Sequence, residues 1–599
     1  MAPPPTTPLQ PFELLLSSSS THLTNLALTP DGLSIVKHKN GSLHSNKLDK
    51  PPLSTSTLLV PFAALLSASL TAPPTPSTAR PLPPTLSIAA LVPSRQGDPN
   101  SATKLWTLTG TVLAVGGASD GAGPSARESA ADASKRLRAE EWCAEAEKRA
   151  YCGVKRKRRL HVIVNPAGGQ GKAKKTWEEA VRPVLQAAGA EIEVSYTGPP
   201  GSPSHALPLA QRHPYSGAGS FDALVALSGD GILHELLNGL ATHTSGQGLD
   251  ALRKTPVVHV ACGSGNAFAT SLYGPERVGD ARWAALVALK GQPLPFDMCT
   301  LTQASSPPLY SFLTQAFGLM ADLDLNTEHL RFLGDLRFTL GYIHGALSRV
   351  RYPCRLSVLV PPSKSAAQGA LTKRGLAERH NAALDAAEAS SASSPSSPRT
   401  APPLSPTRED HAGALPSPRY GTPTTPLPDG PRWDRLPTQA ELARLEDVVG
   451  SEGEDGGEWL HFDLDGGGKD GGAFFVYGGK VPFIAKDVLL FPLADPADGL
   501  LDLVVVQPMG PLEALTAMDG AEHGALLSHR RVLYLKTPCY RLSFPPPSKG
   551  KKEGNLSIDG ERVPYEPFQI EVVQGAGRTL SLTGRWEGRR RVEGGKLEG

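Results

Sequence analysis

Between residues 159 and 270 the chain repeats one arrangement: a short apolar run, a turn of small or polar residues, then a stretch with helical spacing. The runs are RRLHVIVN, EIEVSYT, DALVALSG and PVVHVAC. After the first, Trp177, Ala180, Val181, Val184, Leu185 and Ala188 recur at helical intervals; after the third, Leu233, Leu236, Leu237 and Leu240 do so. Alternating strand and helix predicts a parallel sheet covered on both faces, whose ligands gather at the carboxyl ends of the strands.

Three of those ends carry turns with chemical content. The first is Asn165-Pro166-Ala167-Gly168-Gly169-Gln170-Gly171, where glycines let backbone N–H groups face an anion at a helix start. It fails both the GxxxxGK[ST] and the GxGxxG spacing. The second, Ser228-Gly229-Asp230-Gly231, places an aspartate between two glycines; helix capping alone does not need both, and close approach of a ligand does. The third is Cys262-Gly263-Ser264-Gly265-Asn266. On one parallel sheet the three turns would line one crevice.

Around this segment the chain is of mixed character. Its 599 residues include 57 Pro and 61 Gly, an excess that points to irregular inserts around packed domains. Sixty Lys+Arg against 58 Asp+Glu give +2, which argues against a nucleic-acid binder. Six cysteines, never spaced CxxC, read as reduced thiols of a cytosolic protein. The N-terminus lacks the charged region of a signal peptide. The most apolar run, Leu58 to Leu70, contains Pro61 and is shorter than the ~18 residues that cross a bilayer.

Residues 1–150 mix strand-like runs with one Ala/Glu/Lys/Arg-rich helix carrying Trp142, an outline that resembles a pleckstrin-homology-like module. Residues 155–305 form the α/β domain. Residues 306–363 and 451–590 are strand-dominated and predict a second, mainly antiparallel β domain, interrupted by a helix with Leu336, Leu340, Ile343, Leu347 and Val350 on one face. Residues 364–450 read as a disordered Ser/Pro/Ala-rich insert. In it Ser394, Ser397, Ser405, Ser417, Thr422 and Thr425 each precede proline, as substrates of proline-directed protein kinases do.

NPxGGxG, SGDGxxHExxNG and GSGNAxA, in this order, resemble the catalytic domain of diacylglycerol-type lipid kinases. Ala321-Asp322-Leu323-Asp324-Leu325-Asn326-Thr327-Glu328, with Arg331, Gly334, Asp335, Arg337, Phe338 and Thr339, and then Asp559-Gly560-Glu561, resemble the sphingosine (sphingoid long-chain base) kinases among them. The resemblance implies an α/β nucleotide-binding domain, a β-rich lipid-binding domain, and ATP-dependent phosphorylation of the primary hydroxyl of sphingosine, dihydrosphingosine or phytosphingosine. Asp230 is then the general base, as a carboxylate within reach of an alcohol suffices to be. Asn165, Pro166, Ala167, Gly168, Gly169, Gly171, Thr197, Glu235, Gly263, Ser264 and Gly265 are implied to hold ATP. Arg331 and Arg337 are implied to face its phosphates; they sit ~120° apart on a regular helix, which Gly334 between them would break. Asp559, Gly560 and Glu561 are implied to organise nucleotide and Mg²⁺, with no protein-only metal site.

Ser228, Gly229, Gly231 and Phe338 would border the lipid, and Asp324 would pair with its free amine, favouring it over diacylglycerol or ceramide. Between Thr197 and Ser204 the sequence GPPGSP departs from the family's shorter polar turn. The alternatives are a diacylglycerol or ceramide kinase, or a catalytically silent lipid-binding scaffold. A soluble kinase of the NAD type shares the GDG turn but gives no reason for Asp324. A substrate drawn from a bilayer implies a cytoplasmic enzyme that touches intracellular membranes peripherally. HFDLDGGGKDGG lacks the ligand alternation of a calcium loop, and Lys155 to Arg159 (KRKRR) reads as a solvated lead-in to the first strand.

Overall fold

The computed structural model describes residues 13–19, 22–39, 55–71, 85–94, 102–115, 124–326, 351–361, 371–392, 413–449, 457–466, 471–518, 520, 523–546 and 554–593. They fall into two compact units. One comprises residues 1–158, 178–191 and 282–290, the other 159–177, 192–281 and 291–599.

In the first unit seven antiparallel strands lie side by side in the order Thr55–Val60, Leu33–Lys39, His22–Leu28, Glu13–Ser19, Thr103–Val115, Thr85–Pro93, Leu65–Thr71. The helix Pro124–Ala150 follows them and buries Ala139, Trp142 and Ala146 among Leu26, Leu33, Ile35, Leu86 and Ile88. Lys290 is 5% exposed. Its ammonium donates to the carbonyls of Phe62, Leu65 and Ala150 and lies over the Tyr151 ring.

The second unit opens with the four-stranded sheet. Its order is Val257–Ala261, Ala223–Ser228, Arg159–Val164, Glu191–Tyr196. The central strand is parallel to Val257–Ala261 and to Arg159–Val164. The chain builds outward from Arg159–Val164, then returns to the other side of it with Ala223–Ser228. The crevice therefore opens between the carboxyl ends of these two strands. The lead-in basic run is engaged locally: Arg158 is buried and donates to the Ala288 carbonyl, and Arg159 stacks over Phe221.

Two further sheets, of seven and six strands, pack face to face. Leu356, Val358, Leu460, Phe462 and Leu542 of one meet Phe317, Val476, Leu503, Val505 and Leu533 of the other. The strand Gln292–Gln303, read from sequence as part of the α/β domain, pairs along its length with Phe568–Ser581 and so belongs to this β layer. Lys480 and Asp297 pair at 2.9 Å with their side chains 1% and 0% exposed. Gly499 and Gly575 donate backbone N–H groups to the same carboxylate, each at 2.8 Å. A buried pair satisfied in this way is costly to break from one side, about 3–5 kcal/mol.

Within 364–450 the structure departs from the expected disorder. Lys373–Ala392 and Gln439–Val449 are helices, and Leu371, Leu376, Ala377, Leu436 and Leu442 are buried in the β-domain core. Arg374 and Glu378 of the first helix are exposed, whereas its Lys373 and His380 are buried. Ser394, Ser397, Ser405 and the helix expected around Leu336 to Val350 lie outside the described residues. Among the described residues no helix is long and apolar enough to cross a membrane.

Burial pushes the Lys290 ammonium down to about 7. Between that value and the ordinary ~10.4 the unfolded chain binds more protons, so stability rises with pH across this window. Unfolding followed through Trp142 should give a midpoint that climbs from pH 7 to pH 10, worth on the order of a few kcal/mol. Lys290→Met should flatten that slope.

Candidate active site

Strand ends and turns from both layers of the second unit surround a cavity of about 1000 Å³. At its first wall the Asn165 side chain folds back to accept from Ala167 N at 3.1 Å and from Thr197 Oγ1 at 3.3 Å. That fixes the turn from which the helix Gly168–Thr176 starts. Asn165, Ala167 and Gly168 line the cavity, as do Lys172 and Thr176 further along the helix. Pro166 and Gly171 shape the turn, Gly171 with φ +81°, and Gly169 continues the helix. Thr197 is buried and reaches the site through Asn165.

The second and third turns meet backbone to backbone. A Cβ on Gly263 would stand 2.5 Å from Gly229 Cα, so no side chain fits there. Asn266, in the left-handed region at φ +51°, pins the third turn by accepting from Gly263 N and donating to Gly263 O, each at 2.8 Å. The contact sets Asp230 against the next helix: its carboxylate accepts from Ala267 N at 2.9 Å and Phe268 N at 3.2 Å. The side chain keeps 15% of its surface exposed, on the cavity. Gly231, Ser264 and Gly265 complete this wall. Glu235, a little over one turn beyond Asp230, lines the cavity and lies 2.8 Å from His205 Nδ1. Burial holds its carboxyl above the usual range despite the pull of His205.

The opposite wall comes from the β layers. Asp559 and Gly560, both at positive φ (+52° and +87°), make the two-residue turn between Leu556–Ile558 and Glu561–Arg562. The Asp559 side chain is 0% exposed. It accepts from Ser311 Oγ at 2.7 Å and from the backbone N–H groups of Phe312, Leu313 and Thr314 at 3.1, 3.0 and 2.8 Å. His234 Nδ1 adds a fifth contact at 2.8 Å. Burial disfavours the His234 cation, but the hydrogen bond and charge of Asp559, then Glu561 and Glu235, outweigh it and raise the imidazole. A carboxylate has about four lone-pair sites, and these donors fill them. Asp559 is thus not the open ligand for metal or nucleotide that its motif suggested. Glu561 beside it faces the cavity, and a Cβ on Gly231 would lie 3.2 Å from its Oε1.

Asp324, on the helix Leu319–Asn326, borders the same cavity and accepts from Ser557 Oγ at 3.1 Å. Leu313, Thr314, Tyr477 and Ile484 close the far end. Burial first, then the charge of Asp324, hold the Tyr477 phenol well above its ordinary value, so it stays neutral.

One more sequence expectation changes. Ser228, placed beside the lipid, is fully buried beneath the floor and meets its neighbours through its carbonyl. Arg331, Arg337 and Phe338 lie outside the described residues. Sequence reasoning missed Lys172, Thr176, His234, Thr314, Tyr477 and Ile484. His234 stands inside a recognised motif and Lys172 directly follows one, so both were within reach; the others come from strands and helix positions without a motif.

Residues 159–301 match the family model "Diacylglycerol kinase catalytic domain", and residues 459–581 match "YegS C-terminal NAD kinase beta sandwich-like domain". The chain is 28% identical over 446 residues to sphingoid long chain base kinase 5 of Saccharomyces cerevisiae, covering 73% of this chain and 61% of that one. It is 29% identical to sphingoid long chain base kinase 4 of Schizosaccharomyces pombe, covering 72% and 77%. With human sphingosine kinase 2 it shares 36% identity over 34% of this chain and 30% of that one. The chain is thus similar to sphingoid long chain base kinases and sphingosine kinases. It spans less than two thirds of the length of the budding-yeast and human relatives.

Asp559→Asn replaces two acceptor oxygens by one and turns a donor toward backbone N–H groups. Such an unsatisfied buried cluster costs about 3 kcal/mol or more. Chemical denaturation should show that loss, and Glu561→Gln, on the open side of the same turn, should leave the midpoint within about 0.5 kcal/mol of the parent.

Proposed function

We propose that the chain transfers the terminal phosphoryl group of ATP to the primary hydroxyl of a sphingoid long-chain base, giving the 1-phosphate and ADP. The observation that carries the reading is that one cavity sets two of its carboxylates, Asp230 and Asp324, in different surroundings. Asp230 sits where the glycine turns meet, and Asp324 sits on the β-domain side beside Tyr477 and Ile484. Asp230 takes the hydroxyl proton: two of its lone pairs are spent on Ala267 and Phe268, and others face the cavity. Asp324 pairs with the substrate ammonium, a contact that neutral diacylglycerol and N-acylated ceramide do not offer.

The donor set fits a nucleotide triphosphate. Asn165, Ala167 and Gly168 with Gly263, Ser264 and Gly265 supply backbone and amide groups, Lys172 a cation, and Glu235 a carboxyl. Arg331 and Arg337 are proposed phosphate contacts and Phe338 a lipid contact. Among the described residues no group of three or more His, Cys, Asp or Glu is arranged to hold a metal. Mg²⁺ does not need one, since it keeps water and takes one or two carboxylates plus phosphate oxygens. Glu561 is the residue that would hold it, and it would neutralise phosphate charge there. The reading extends to a cytoplasmic enzyme that visits membranes to collect its substrate. Leu512, 75% exposed on the helix Pro511–Met518, supports an apolar contact. The strand order and final helix of the first unit support a pleckstrin-homology-like module. Ser417, Thr422 and Thr425, exposed before prolines, are proposed targets of proline-directed kinases.

Purified protein with ATP, Mg²⁺ and sphinganine should yield sphinganine 1-phosphate by mass spectrometry. Asp230→Asn should lower kcat by about 10²-fold or more. Asp324→Ala should cut kcat/KM for amine-bearing lipids far more than for diacylglycerol; equal losses would favour a kinase for neutral lipids.

A further inference from the structure

His259 lies on the strand Val257–Ala261 directly beneath the cavity floor, 0% exposed. Its Nε2 is 3.0 Å from the Ser228 carbonyl oxygen, which can only accept, so Nε2 carries the hydrogen. That leaves Nδ1 as a bare lone pair. Nδ1 is buried, has no hydrogen-bond partner, and lies 3.9 Å from Asp230 Oδ1. A buried acceptor without a donor costs about 1–3 kcal/mol. The backbone around it is already held: Tyr273 donates to the His259 carbonyl at 3.1 Å.

The idle lone pair gains a partner once Asp230 is protonated. A carboxylate facing that lone pair offers it no hydrogen, whereas a carboxylic acid O–H does. Closing 3.9 Å to a hydrogen bond needs a shift of about 1 Å, within the play of a side chain. We propose that His259 is the second acceptor of the reaction's proton, acting through Asp230 as a positioning residue. This rests on the reading of Asp230 as base. As the substrate oxygen bonds to phosphorus and the bond to ADP breaks, the hydroxyl proton passes to an Asp230 oxygen. It then hydrogen-bonds, or moves on, to Nδ1 of His259. Asp230 is left a carboxylate, and when product departs the proton passes back through Asp230 to a product phosphate oxygen or to solvent. Charge and atoms balance without a further reactant.

The test compares His259→Gln, His259→Leu and Asp230→Asn in the full-length chain with ATP, Mg²⁺ and sphinganine, alongside thermal midpoints. Gln keeps an amide donor for Ser228 and an acceptor for Asp230 but cannot take a proton; Leu keeps neither. The expected result is a kcat about tenfold lower for both His259 variants, with KM for both substrates unchanged and the Gln midpoint at the parent value. Restoration of parental kcat by Gln would show a packing role and overturn the inference. So would losses confined to KM. An active Asp230→Asn would instead overturn the base assignment, and the relay with it.

Discussion

One buried carboxylate holds the two walls of the cavity together. Asp559 gathers N–H groups from three consecutive residues, Phe312 to Thr314, a hydroxyl from Ser311, and the imidazole of His234. His234 belongs to the helix that Asp230 begins, whereas Phe312 to Thr314 lead into a strand of the β layer. An isolated buried charge would cost many kcal/mol; with every lone pair filled, the same charge fixes geometry instead. Because Asp559 sits in a left-handed turn, its hairpin must present Glu561 at Gly231. The aspartate of the DGE motif positions, and the glutamate is the group open to solution.

On the other side of the cavity the constraint is steric. Gly229 and Gly263 approach so closely that a Cβ on either meets the other backbone at 3.2 or 2.5 Å. That contact lets Asp230 reach across and cap the helix Ala267–Tyr273. The two N–H donors immobilise the carboxylate before any ligand arrives, so orientation is not gained at the expense of binding energy.

How much of this is legible in the sequence follows from how local each feature is. The glycine turns are backbone requirements met by adjacent residues, so Asn165, Gly229, Asp230 and Gly263 are readable one turn at a time. The far wall is not. Thr314, Tyr477 and Ile484 meet only after strands remote in sequence pair, and an alternating strand carries no mark of which residue will face a ligand. Ser228 shows the reverse error: it stands inside a motif, yet period-two alternation turns it under the floor. The 413–431 stretch misled by composition. Its backbone is a series of turns and irregular stretches held by side chains from the sheet: Glu571 accepts from Arg419 N at 2.7 Å and Tyr420 N at 3.1 Å, and Arg541 donates to the carbonyls of Tyr420 and Thr425. A segment ordered by side chains elsewhere needs neither periodicity nor apolar residues of its own.

The same reasoning places the insert within reach of the turn that carries Asp230. Asn381, on the helix Lys373–Ala392, forms a reciprocal pair with the Val592 backbone, donating at 2.7 Å and accepting at 3.1 Å. A few residues earlier that C-terminal segment is tied to the helix Asp230 caps: Glu587 N and Gly588 N donate to the carbonyls of Leu272 and Ser271, each at 3.0 Å. Trp586 stacks edge-on against Phe268. The capped helix is therefore held by Asp230 at its first residues and by the chain's last described segment at its end. A displacement of the insert helix has a short, hydrogen-bonded route to the residues that orient Asp230, whereas the hairpin carrying Glu561 is anchored independently by Asp559. Orientation of Asp230 and placement of Glu561 thus rest on separate supports, and a change in one need not disturb the other.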